Sequence, residues 1–74
     1  MTDSEILALD NVPPVMAAIY LDKTPVFVRL GLQQGKLPFG AAVQNPGGKW
    51  SYHISPGLLV AYKRGTLKIE MKTA

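Results

Sequence analysis

The 74 residues include no cysteine and carry a formal net charge of +3. A chain this short holds one domain, near the size at which a single core is marginal without outside support. Without thiols it has no disulfide framework, no thiolate metal site and no cysteine nucleophile.

Five of the eight Lys and Arg residues fall between Arg29 and Arg64, a stretch without Asp or Glu. An acid-free middle of this kind points to a polyanionic partner. The opening run MTDSEILALD is acidic where a secretory signal is basic, and no apolar stretch approaches the roughly 18 residues of a membrane span. The expectation is a soluble, cytoplasmic protein that does not engage a membrane.

In chain order, Glu5 to Leu9 is a short amphipathic run, enough for a turn or two of helix. Val12-Pro13-Pro14 then marks a helix start, since the first turn has amide protons without intrahelical acceptors and proline lacks that proton. The first main helix is predicted over 13–21, with Ala17 and Ala18 allowing close approach and Val15, Ile19 and Leu21 supplying apolar volume. Asp22-Lys23 fits a tight turn. Thr24-Pro25 is the second and stronger start signal, an N-cap followed by proline at the first helical position. The second helix is predicted over 25–34, ended by Gly35 and barred from continuing by Pro38. Two helices joined by so short a turn make a helix-turn-helix.

After Pro38 the period changes from helical to alternating. Residues 39–44 and 49–54 read as strands joined by Asn45-Pro46-Gly47-Gly48, with Trp50, Tyr52 and Ile54 on one face and Ser51 and His53 on the other. A hairpin directly after the second helix has the usual place of a wing. Ser55-Pro56 repeats the cap-plus-proline device, so a closing helix is predicted over 56–63, burying Leu58, Leu59 and Tyr62 and stopping at Gly65. In the last segment Leu67, Ile69 and Met71 alternate with Lys68, Glu70 and Lys72, a pattern suited to a short strand or a tail. The expected architecture is α+β, a winged helix-turn-helix of two short helices, a β-hairpin wing and a closing third helix. Its divisions are an N-terminal arm or short helix (1–11), the domain proper (12–65) and a C-terminal tail or short strand (66–74).

The run AAIYLDKTPVFVRLGLQQGKLP resembles the first half of small winged-helix DNA-binding proteins of the MerR and excisionase type. The shared pattern is an alanine pair, a leucine, a short turn, Ser or Thr opening the second helix, Val four residues later, then Gly-x-Leu-Pro. Here these are Ala17, Ala18, Leu21, Thr24, Val28 and Gly35-Lys36-Leu37-Pro38. The run GGKWSYHISPGLLVAYKRG is similar to the wing strand and closing helix of excisionase-like proteins of phages and mobile elements. Met16 stands where the pattern commonly has glutamate, and Asp22 where it often has glycine. The resemblance spans about residues 12–65. It implies sequence-specific binding of double-stranded DNA, as an architectural factor in recombination or as a transcriptional regulator. A tyrosine recombinase (integrase) and further copies of the chain are the implied protein partners; no cofactor is implied.

On the second helix, spacing sets Val28, Gly31 and Leu32 toward the first helix and Val26, Arg29, Leu30 and Gln33 outward. Arginine can bridge guanine O6 and N7, glutamine can pair with adenine N6 and N7, and Val26 and Leu30 suit thymine methyls. Lys23, Lys36 and Lys49 suit phosphates, contacts that position without reading sequence. The helix opening at Thr24 and Pro25, with its free amides, suits another. A different class of function is a protein adaptor that uses the apolar second helix without binding DNA. Catalysis is not expected, because His53 is the sole histidine and no cysteine or carboxylate cluster accompanies it. No metal ligand set is expected either.

Overall fold

The computed structural model of the chain describes residues 1–66. The predicted strand or tail of Leu67, Ile69 and Met71 lies outside the described residues. Six elements follow in order: α1 (Asp3–Leu7), α2 (Pro14–Leu21), α3 (Pro25–Gln33), β1 (Gly40–Gln44), β2 (Trp50–Ile54) and α4 (Pro56–Arg64). The protein is thus a small α+β structure, helices followed by a two-stranded antiparallel hairpin and one further helix. No helix among the described residues is long and apolar enough to cross a membrane.

Three of the four helices described begin at a side-chain cap, and α2 begins at Pro13-Pro14 without one. Thr2 and Glu5 form a reciprocal capping box at α1, Thr24 accepts from the Phe27 amide at α3, and Ser55 accepts from the Leu58 amide at α4. Proline occupies the first turn of α2, α3 and α4. At the end of α2, Asp22 adopts the left-handed region at φ 57°, the one non-glycine among the described residues to do so. Its amide and that of Lys23 donate back into the last turn of α2, to Ile19 and Ala18. Asp is one of the few residues for which this conformation is inexpensive, so the α2–α3 turn closes without the glycine common in the resembling pattern. Gly35 and Gly65 take the same conformation after α3 and α4.

The hairpin pairs Gly40 with Ile54, Ala42 with Tyr52 and Gln44 with Trp50. Its root is fixed to the N-terminal segment, where Ile54 N–H donates to Asn11 Oδ1 at 2.8 Å and Val12 N–H donates to the Ile54 carbonyl at 3.1 Å. The core draws on every element except β1, with Ile6, Val12, Val28, Phe39, Ile54 and Leu59 its largest fully buried side chains.

Three expectations about packing need correction. On α2, Ile19 and Val15 face solvent and Tyr20 is buried with Ala17 and Ala18. The segment is apolar nearly all round, so the buried face is chosen by the alanine pair, which admits a neighbouring helix, and by a partner for the Tyr20 hydroxyl. On α4, Leu59 and Val60 are buried and Leu58 is exposed. Tyr62 lies at the surface with its ring edge-on to Phe39, centroids 5.0 Å apart. The segment 5–9 starts its helix two residues earlier than expected, at Asp3, because Thr2 supplies the cap.

Candidate nucleic-acid interface

α3 buries one side and exposes the other. Val28 and Leu32 are fully or nearly fully enclosed, whereas Val26 (59% exposed), Phe27 (42%) and Leu30 (46%) face solvent together with Gln34. At 100° per residue these four cluster on one side of the helix. Arg29 and Gln33 are half-buried and flank that surface. The outward face is therefore centred on Val26, Phe27, Leu30 and Gln34, rotated from the expected centre on Arg29 and Gln33. Gly31 fixes the opposite flank, where an added Cβ would lie 2.5 Å from Leu37 Cδ1.

At the N-terminal end of α3, Thr24 Oγ1 accepts from the Phe27 amide at 3.1 Å and Pro25 removes one amide proton. The Lys23 ammonium stands 5.8 Å from the centroid of the Phe27 ring, a cation–π arrangement that keeps the charge beside the first turn. Lys36 is exposed directly after the left-handed Gly35.

The Gln33 side chain is engaged. Its Nε2 donates to the Tyr52 hydroxyl at 2.7 Å, joining the last residue of α3 to the middle of β2. The glutamine expected to read a base thus meets the tyrosine on the Trp50–Ile54 face of the hairpin. Tyr52, Phe27 and Gln34 were not among the residues singled out for this surface. Nothing local announces the Gln33–Tyr52 bond, since it depends on how the hairpin lies against the helix.

The hairpin tip is held by its own polar groups. Gly48 N–H donates to the Asn45 carbonyl at 2.9 Å, Asn45 N–H to the Lys49 carbonyl at 2.7 Å, and Asn45 Nδ2 to Ser51 Oγ at 2.7 Å. Gly48 sits at φ 91°, as a tight tip requires. Lys49 is exposed beside the tip, while Ser51, His53, Ala41 and Val43 form the outer face of the hairpin.

Most of the described acids lie apart from the cations of α3 and the hairpin, with Asp22, exposed beside Lys23 in the α2–α3 turn, the exception. Lys23, Arg29, Lys36 and Lys49, on α3, its flanking turns and the hairpin, form no ion pair among the described residues. The described ion pair lies elsewhere, between Arg64 of α4 and Asp3 of α1. Tyr20 donates to the same Asp3 at 2.5 Å, and the Lys63 ammonium lies 4.0 Å from the Tyr20 ring centroid. The Tyr20 bond and the Arg64 guanidinium hold the Asp3 carboxyl below its ordinary range. Burial, and then the Asp3 bond, push the Tyr20 hydroxyl up to about 12. Asp3, the acid closest to the basic end of α4, is thus matched locally and stays off the α3 and hairpin surface.

Comparison with protein-family models, with curated proteins and with solved structures gives no match for this chain.

Proposed function

We propose that the chain is a winged helix-turn-helix protein that binds double-stranded DNA, with α3 in the major groove and the β1–β2 hairpin as a wing along the adjacent backbone. The observation that carries this reading is the arrangement of charge: four cations without ionic partners among the described residues lie on α3, its turns and the hairpin, in a run from Lys23 to Thr66 that contains no acid. Such a surface attracts phosphates. Arg29 flanks an exposed strip of Val26, Phe27 and Leu30, so it can reach guanine while the strip meets thymine methyls. Lys23, Thr24, Pro25, Lys36 and Lys49 serve the backbone. In the resembling proteins such binding bends DNA beside an attachment site or controls transcription. The same work, with a tyrosine recombinase and neighbouring copies as protein partners, is proposed here.

Selection of a preferred site from random duplexes, followed by titration, tests the assignment. Arg29→Ala should cost about 1–3 kcal/mol on the selected site and flatten base preference at one position. A variant that binds that site as tightly as the parent removes Arg29 from the readout.

The exposed apolar strip also favours a second reading, a protein adaptor docking through α3. The two readings differ in ionic response, because phosphate contacts weaken steeply with salt and apolar contacts do not.

A further inference from the structure

We infer that Gln33 is a positioning residue that, through Tyr52, locks the hairpin to α3 so that helix and wing meet DNA as one rigid unit; this rests on the DNA-binding reading above. Among the described residues the Gln33–Tyr52 bond is the one side-chain hydrogen bond between α3 and the hairpin. The inward side of β1 is lined by Gly40 and Ala42. Such small side chains pack closely but interlock little, so the apolar hold on the hairpin comes chiefly from Phe39 and Ile54, fully buried at its root, and from Tyr52 packed against the core. Two polar attachments add direction to this packing. One is at the root, where Asn11 and Val12 hold Ile54. The other is the Gln33–Tyr52 bond two residues further along β2. Beyond Tyr52 the strand continues through Trp50 to Lys49, about 10 Å at the rise of a β-strand, so a rotation of about 10° at Tyr52 shifts the tip lysine by about 2 Å, enough to lengthen a phosphate contact.

This role constrains base reading by Gln33. A glutamine that reads adenine presents one amide N–H and its carbonyl to the base. The amide carries two N–H donors, of which one is given to Tyr52 at 2.7 Å, and both side chains are half-buried. Any base contact is confined to the orientation that the Tyr52 bond sets.

The test has two arms. In the free protein, which lacks native cysteine, spin labels at Gly47→Cys and Gln34→Cys report the distance between tip and helix. Tyr52→Phe and Gln33→Ala should each broaden the distance distribution while leaving the thermal midpoint within a few degrees. An unchanged distribution overturns the inference. On the selected duplex, each variant should bind about fivefold more weakly, the order of one net hydrogen bond. Base preference should be unaltered, and the double variant should bind no worse than either single one. Altered base preference in Gln33→Ala with unaltered binding in Tyr52→Phe would assign Gln33 to a base and overturn the strut. Broadening in the free protein together with no duplex binding by the parent would support the strut and overturn the DNA reading instead.

Discussion

The Tyr20 hydroxyl donates to Asp3 Oδ1 while Arg64 Nε donates to Asp3 Oδ2, so a single carboxylate ties α1, α2 and α4 together. Asp3 and Glu5 both have lowered folded pKa values, Asp3 chiefly from the Tyr20 bond and Glu5 chiefly from the Thr2 amide. Depressed carboxyl pKa values add stability above the unfolded range near 4 and lose it as pH falls through the folded values. Tyr20 acts at the other end of the scale. Its raised pKa adds stability below about 10 that is lost as pH climbs toward about 12. Thermal melts across pH should therefore show a plateau through neutrality, a fall below about pH 4 and a second fall above about pH 10. Tyr20→Phe should abolish the alkaline fall and cost roughly 1 kcal/mol, the value of one hydrogen bond. Residues with a local partner were legible in the sequence: the caps at Thr24 and Ser55 and the stops at Gly35 and Gly65 depend on neighbours within a few positions. The Tyr20–Asp3 and Gln33–Tyr52 bonds join residues 17 and 19 positions apart, and no local period encodes them.

At the level of elements, the hairpin depends on close approach between its strands at the root. A Cβ built on Gly40 would collide with the backbone carbonyl of His53, which cannot move without separating β1 from β2. Gly40→Ala should therefore destabilise by about 1–3 kcal/mol, as overpacking does, and loosen the hairpin before the helices. Amide hydrogen exchange resolves that order of opening. Gly47, with no atom within 4 Å of an added Cβ, should accept alanine with little change. The strands themselves were legible from their alternation, which holds in the structure: Ser51 and His53 are exposed, Ile54 is buried, and Trp50 and Tyr52 are half-buried. The face of α2 was less so, because the segment is apolar nearly all round. In α3 the spacing that sets Val28 and Leu32 inward and Val26 and Leu30 outward holds in the structure, with Phe27 joining the exposed side. Their exposure fits a helix whose outward side is kept for a partner.

At the scale of the whole molecule, twelve buried apolar residues among those described form one core that includes Ile6 of α1 as well as Phe39 and Leu59. Phe39→Ala should cost about 3–5 kcal/mol, a large share of the stability available to a domain of this size. Circular dichroism on heating should show the variant largely unfolded near physiological temperature. The core draws on α3 and β2 as well as on the other helices, whereas the Asp3–Arg64 pair joins α1 to α4 and the cations Lys23, Arg29, Lys36 and Lys49 belong to the elements that carry the proposed interface. The charge pattern was legible from composition because it is a matter of sequence order, whereas which cations keep an ionic partner emerged only from the fold. The most direct measurement is the affinity of the full chain for its selected duplex between about 50 and 200 mM salt. Three lysines on phosphates predict a logarithmic slope of about −3, made shallower by about one unit in Lys49→Ala with base preference retained. Absence of duplex binding, or affinity indifferent to salt, would contradict DNA binding and leave the apolar face of α3 as a surface for protein.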